Sequence, residues 1–366
     1  PHRMYSVTKS FVSSAVGLAV ADGLIAVDDR VLDILPELRP ADPDARQEGL
    51  SIRHLLTMSS GHRQVTLAPP ARPVPSLAGF VGERPAVEPG SRFDYNNSCS
   101  YALAAIVERV TGETLADYLR PRLLEPLGIA VRPWLRTEEG ITNGGWGLHL
   151  TTREVSRFGQ LLVQHGLWEG KQVLPSAWID EATGRRVDCW GNGGSADWTQ
   201  GYGYQFWRGS HGTYRADGLL GQFCVVFPEH EAVVVTTAGT MRTQQLLELV
   251  WEHVVPLVKA GTGEAGPVAF AEDRPGLEGP TQGGGLDGVT FVFGEPIILP
   301  TRLYFGQSPV RNVTLDLAGG APALLIADDR ARYRLDIGMG RWAAGVTPLS
   351  SGFPEPYKAR AAWTSD

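Results

Sequence analysis

The sequence of 366 residues is short of cysteine, of net positive charge and of long apolar runs, and each shortage excludes something. Its three cysteines, Cys99, Cys189 and Cys224, are odd in number and far apart. They suggest neither a disulfide framework nor a zinc site. Cysteine usage of this kind fits a reducing compartment, so a cytoplasmic location is expected. Cys224 falls in a strand pattern and reads as a small buried hydrophobe. With 33 basic against 40 acidic residues the net charge is -7, which argues against a nucleic-acid or anionic-membrane partner. No apolar run approaches the roughly 20 residues that a bilayer needs, so no membrane span is expected. The sequence opens at Pro1 without a methionine and reaches its key motif at once. Its native N-terminus is expected to be missing, so the lack of a signal segment carries no information.

What is present organises itself around Tyr5-Ser6-Val7-Thr8-Lys9-Ser10-Phe11. This stretch is expected to open a helix running through Val12, Ala15, Val16 and Leu18 to Asp22, with Gly23 at its end. Residues three apart share a helix face, so Ser6 and Lys9 point the same way. A serine hydroxyl needs a neighbouring base to become nucleophilic. A lysine supplies one when burial lowers its pKa towards neutrality. The tetrapeptide alone is weak evidence, since a helix start with Ser6 as N-cap and a solvated Lys9 has the same pattern.

A hydrophobic share of 43% with 20% charged residues is ordinary for a folded protein, and the length suggests two domains. Ser51 is expected to cap a short helix through Ile52, Leu55, Leu56 and Met58, ending at Gly61. Residues 62–90 are proline-rich and aperiodic. A helix is expected from about Ser98 to Val110, stopped by Gly112. Thr114-x-x-Asp117 and Thr151-x-x-Glu154 have the capping-box pattern. The pattern then turns to strands at 201–207, 212–217, 222–227 and 232–237, the last two a hairpin, followed by a helix over Arg242–Val258. Helices set before a run of antiparallel strands indicate an α+β fold with helices flanking an antiparallel sheet. Residues 260–288 read as a Gly/Pro/Glu-rich linker. The rest, 289–366, reads as a small all-β domain with runs at 289–293, 301–305, 310–317, 322–327 and 332–337. A last strand from Tyr357 is cut short, and the domain carries no visible nucleophile, base or metal cluster.

Three stretches taken together, Tyr5–Phe11, Ile52–Gly61 (IRHLLTMSSG) and Glu88–Asn97 (EPGSRFDYNN), resemble the serine β-lactamase-related superfamily, in its class C β-lactamase, D-aminopeptidase and esterase branch. Glu125–Gly128, Gly144-Gly145 and Gly218–Gln222 agree with it, and the resemblance covers about residues 1–258. It implies a β-lactamase/transpeptidase-like domain over 1–259. It makes Ser6 the acylated nucleophile, Lys9 its proton acceptor and Tyr95 a second acid/base, with Asn97 orienting substrate and lysine. A tyrosine beside a lysine ammonium is expected to have a lowered pKa. Asn96 is expected to be a turn residue, and His54 and His62 to serve a helix end and a loop rather than catalysis.

The third motif of that superfamily falls on Ala216-Asp217-Gly218, where the usual cation is absent. Gly218 lets a substrate backbone approach, the amides of Ser6 and Leu219 are implied as the oxyanion hole, and strand alternation turns Arg215 away from the face of Ala216. The expectation is a serine hydrolase that forms an acyl-enzyme on a small ester, amide or peptide and needs no cofactor. Asp217 is expected to repel a substrate carboxylate, so esters should be cleaved far better than a cephalosporin. A penicillin-binding-like sensor that acylates without turnover is the alternative. Two strands that the superfamily places before the Ser6 helix are absent, and the sheet edge left open is expected to favour a homo-oligomer.

Overall fold

The first helix begins in two steps. In the computed structural model Tyr5–Val7 makes one 3-10 turn and the α-helix proper spans Thr8–Ala21. Ser6 does not act as an N-cap: no side chain caps this start. Every residue from Thr8 to Ala19 is buried, which suits a helix that is apolar or small all round and lies at the centre of a domain. Phe11 stacks on Phe158 with ring centroids 4.1 Å apart. Such a fully buried aromatic contributes about 1.5–3 kcal/mol by transfer from water.

The structure describes residues 1–63, 76–189 and 195–260, and beyond them the segments 290–297, 310–316, 322–328, 331–336, 338–339, 343–347 and 355–361. The expected linker therefore lies almost wholly outside the described residues, as does the strand expected at 301–305. The chain divides into two compact units, Pro1–Gln64 with Val74–Gly263, and Val65–Pro73 with Glu264–Asp366.

In the first unit, strands β1 (His2–Arg3) and β2 (His149–Leu150) pair beside the start of the first helix. A small hairpin joins β3 (Leu167–Trp168) and β4 (Lys171–Gln172). The main sheet is antiparallel in the order β5 (Trp207–Arg208), β6 (Tyr214–Gly218), β7 (Gln222–Phe227) and β8 (Ala232–Thr236). Ala216 pairs with Cys224 and Asp217 with Phe223. Alternation then splits the sheet into two faces. Ala216, Cys224 and Val226 join the large core around the first helix. Phe223, Val225 and Phe227 join a second core with Leu247 and Val250, from the helical stretch built of Thr243–Leu249, a π-turn at Val250–Val254 and Val255–Ala260.

The helix expected at 98–110 spans Asn97–Thr111 and stops at Gly112, whose φ of +70° suits a C-cap glycine. Thr151 and Glu154 form the expected capping box on the helix Thr152–Val163. One expectation fails: residues 201–206 are not strand. Gln205 there adopts φ +64° and is buried. Its side chain bonds to Leu55 and Leu56 carbonyls at 3.1 and 2.9 Å, which turns the chain out of the sheet just before Trp207.

The second unit is all strand where it is described. β9 (Thr290–Ile297), β10 (Val310–Asp316), β11 (Ala323–Asp328) and β12 (Arg332–Asp336) form an antiparallel sheet in the order β12–β11–β10–β9. β13 (Gly338–Met339), β14 (Ala343–Thr347) and β15 (Glu355–Ala361) form another, with β15 central. No strand was expected at 343–347.

Candidate active site

Tyr5, the residue before Ser6, holds a φ of +47°. For a bulky residue this left-handed conformation costs on the order of 1–3 kcal/mol, and such strain gathers at functional sites. Ser6 follows at the first turn, only half-buried. Lys9 lies one turn on and is 1% exposed. Its ammonium nitrogen is 2.9 Å from Ser6 Oγ, 2.7 Å from Asn97 Oδ1 and 2.6 Å from the carbonyl oxygen of Gly145. The serine, the lysine and the asparagine singled out in the sequence are therefore in one hydrogen-bonded group.

Burial lowers the Lys9 pKa to about 7, against a weaker upward pull from Cys99 and Asp217. A neutral amine has two hydrogens and one lone pair. Asn97 Oδ1 and the Gly145 carbonyl can only accept, so they take the two hydrogens. The lone pair is left for the hydroxyl of Ser6.

Tyr95 completes the group. Its ring centroid lies 5.1 Å from Lys9 Nζ, and its hydroxyl hydrogen-bonds with Ser6. The expected lowering of its pKa is corrected here: burial pushes the phenol up, and the bond to Ser6 only partly opposes this. A lysine whose own pKa is lowered to about 7 carries its full charge only below neutrality, so it does little to draw the phenol's proton off. The Tyr95 ring is backed by Trp207, stacked at 5.5 Å, and by Tyr202, edge-on at 6.3 Å. Asn96 caps the helix, accepting a bond from the Ser98 amide at 2.9 Å, which agrees with the turn role expected of it.

Gly145 is the partner that sequence reasoning noticed as a glycine pair but did not connect to Lys9. The side-chain oxygen of Asn143 holds the amides of Gly145 and Trp146 at 3.0 and 3.2 Å, which fixes the carbonyl aimed at Lys9. A Cβ on Gly144 would lie 2.1 Å from the Ser100 carbonyl. The bare backbone is what lets this loop press against the helix that carries Asn97. Gln205 was missed as well. It accepts from Ser100 Oγ at 2.6 Å through its side chain and from Ser10 Oγ at 2.9 Å through its carbonyl. It thus ties the Lys9 helix to the Asn97 helix. Its unusual backbone had no signal in the sequence.

The third motif lies against the first. A Cβ at Gly218 would sit 2.3 Å from the Met4 carbonyl and 3.2 Å from Val7, so only glycine lets β6 approach the Ser6 turn. Leu219 follows directly. Asp217 faces the second core, where Arg215 Nε donates to its carboxylate at 2.8 Å. Arg215 is fully buried; it also donates to the Asp197 carbonyl at 2.9 Å and lies over the Trp198 ring at 4.7 Å. Burial raises the Asp217 pKa while Arg215 opposes the rise. The bare, repelling carboxylate expected at 217 is therefore one half of an ion pair, because strand alternation puts both residues on one face. The same alternation takes Arg215 away from Ala216, as expected.

His54 Nδ1 lies 3.2 Å from the Ser51 amide, closing the N-terminus of the helix Ile52–Leu56. His62 bridges Ser60 and the Glu83 carbonyl. Neither contact touches Ser6. Among the described residues no group of three His, Cys, Asp or Glu could hold a metal, and no helix is long and apolar enough to cross a membrane.

The profile of the beta-lactamase family matches residues 1–254. The chain is 26% identical over 265 residues to the 6-aminohexanoate-dimer hydrolase of Paenarthrobacter ureafaciens, covering 64% of this chain and 65% of that one. It is 32% identical over 152 residues to esterase EstB of Burkholderia gladioli, covering 35% and 36%. The chain thus spans less than two thirds of these relatives. Among solved structures, the octameric penicillin-binding protein homologue of Pyrococcus abyssi superposes with a TM-score of 0.54 at 18% identity, over 98% of this chain and 84% of that one. At that identity the likeness is one of fold, a β-lactamase/transpeptidase-like arrangement of helices and antiparallel sheet with a small C-terminal β unit. By the extent of the profile match, the chain belongs to the beta-lactamase family.

Proposed function

We propose that the protein is a serine hydrolase that forms an acyl-enzyme on a small ester or amide. One observation carries the reading: both hydrogens of a neutral Lys9 are taken by Asn97 and Gly145, so its lone pair is left for the hydroxyl of Ser6. In this reading Ser6 Oγ attacks the substrate carbonyl carbon while its proton passes to Lys9. The oxyanion is held by the amides of Ser6 and Leu219; one such donor typically contributes about 3 kcal/mol. Collapse of the tetrahedral adduct breaks the bond to the departing alcohol or amine. Tyr95, kept protonated by its burial, hands that group a proton and is reprotonated through Lys9. Water then repeats the sequence in reverse on the acyl-Ser6 ester. Asn97 orients both lysine and substrate.

The names of the relatives, an esterase and a 6-aminohexanoate-dimer hydrolase, support a hydrolase reading. With Ala216 where a cation would bind a β-lactam carboxylate, small esters should be cleaved faster than a cephalosporin, even with Asp217 neutralised by Arg215. The domain roles follow: 1–259 catalytic, 260–288 linker, 289–366 a β extension, with self-association in keeping with the octameric homologue. The test is a p-nitrophenyl acetate assay with intact-mass detection. A burst followed by turnover, both absent from Ser6→Ala, supports the proposal. Unchanged rates in Ser6→Ala would end it, and a lasting adduct without turnover would make the protein a sensor.

A further inference from the structure

The loop between β6 and β7, Leu219 to Gly221, carries the second of the two proposed oxyanion donors, the Leu219 amide. That amide donates to nothing among the described residues. The loop is three residues long, since Gly218 pairs with Gln222 across the ladder. Its backbone is not relaxed. Leu220 has φ +66° and Gly221 φ +87°, and a leucine is disfavoured in the left-handed region. Each carbonyl of the loop accepts from one donor that holds it in place. The Leu220 carbonyl accepts from the Thr240 amide at 3.2 Å. That of Gly221 accepts from Thr236 Oγ1 at 2.8 Å, and that of Leu219 from Gln222 Nε2 at 3.3 Å.

Of these anchors, Gln222 lies beside the reactive face. Alternation along β7 places it on the side of Cys224 and Val226, which join the core around the first helix. A Cβ at Gly218 would lie 3.2 Å from the Gln222 Cβ and 2.3 Å from the Met4 carbonyl. Gln222 therefore lies where β6 meets the Ser6 turn, and it is 3% exposed. Its amide nitrogen also donates to the Ala238 carbonyl at 2.6 Å. Both neighbours of that nitrogen are carbonyl oxygens, which only accept, so the amide has one possible orientation. In that orientation Oε1 is buried with no partner among the described residues. A buried acceptor without a donor is unfavourable, and an apolar side chain of similar size would fill the space without one. The amide at 222 is thus explained by its two donors and not by packing.

We propose that Gln222 is a positioning residue of the oxyanion hole. By tying the Leu219 carbonyl to Ala238 it fixes the peptide that follows Leu219, and with it the aim of the Leu219 amide. The inference rests on the hydrolase reading above and deepens it with a residue that acts on the hole without touching substrate. Freed of this tie, Leu220 relaxes towards negative φ and turns the Leu219 backbone with it. The donor then meets the substrate oxygen at the wrong distance. The loss falls on the transition state, where that oxygen carries charge, and spares binding of the neutral ester.

The test is Gln222→Met, which keeps an unbranched side chain of similar length and removes both donors. Burst kinetics with p-nitrophenyl acetate separate acylation from binding. The acylation rate constant should fall about thirtyfold, short of the roughly hundredfold or more that follows outright loss of one oxyanion donor. The dissociation constant of the ester should stay within about twofold of the parent value. A trifluoromethyl ketone, which forms a tetrahedral oxyanion adduct on a serine, should lose affinity by the same factor as the acylation rate. A merely structural role would not single out the charged adduct. Gln222→Leu should behave alike. Acylation within about twofold of the parent overturns the proposal, as does equal weakening of ester and ketone, or failure of both variants to fold. A parent without a Ser6-dependent burst would end the hydrolase reading, and this inference with it.

Discussion

Two buried cations lie on opposite sides of β6. Lys9 is 1% exposed and its nearest partners are the neutral oxygens of Ser6, Asn97 and Gly145. Arg215 is fully buried and its nearest partners include a carboxylate and an aromatic face. Removing a charge from water costs several kcal/mol unless something compensates. At Lys9 the compensation is thin, so the amine yields its proton near pH 7. At Arg215 the pair with Asp217 supplies it, and a guanidinium does not deprotonate in any case. The same burial thus makes a proposed base on one face of the strand and a strut on the other. The lysine side needs a group that changes charge; the arginine side needs one that does not.

Substitutions on the two faces should have effects of very different size. The largest effect is expected from Ser6→Ala, which should lower ester turnover by about 10,000-fold and remove any burst in stopped-flow traces. Next is Lys9→Arg, which keeps the charge and removes the base. It should cost about a thousandfold in kcat/KM, with folding checked by circular dichroism. On the other face Arg215→Met should destabilise the protein by about 3 kcal/mol in urea unfolding, because Asp217 is left buried and uncompensated. Asp217 already has a raised pKa in the fold, so the folded state favours its protonated form. The loss in Arg215→Met should therefore shrink as pH falls and the carboxyl takes a proton. Converting Asp217 to leucine as well should recover most of the stability. The smallest effect belongs to His54→Gln, about 1 kcal/mol of helix-end stability at most and less than a twofold change in rate. A hundredfold loss there would show that a histidine takes part in the chemistry.

Much of the candidate site's geometry was legible because its spacing is local. Ser6 and Lys9 are one turn apart and Tyr95 and Asn97 lie two apart at a helix start, so each pair is held close by local backbone geometry. Caps at Thr114 and Thr151 and the glycine at 112 are local in the same way. What stayed hidden depends on distant pieces of chain. Nothing in Gly144-Gly145 says that its carbonyl will meet a lysine 136 residues earlier. The left-handed turn at Gln205 is imposed by carbonyls of Leu55 and Leu56 and by Ser100, so 201–206 was mistaken for strand. The direction of the Tyr95 pKa was misread because proximity to an amine was weighed without asking whether that amine keeps its charge once buried. Alternation along β6 did predict the aspect of Arg215, yet not that Asp217 on the same face would absorb it.

In the proposed mechanism Lys9 must be neutral enough near pH 7 to take a proton from Ser6. The direct measurement is the pre-steady-state acylation rate with p-nitrophenyl acetate across the pH range. Because the Lys9 pKa is lowered, its base form fills as pH rises through about 7. The rate should climb through that pH to a plateau, and Asn97→Ala should move the midpoint. A rate that is flat across neutrality, or that rises only near the ordinary lysine pKa of about 10.4, would contradict it.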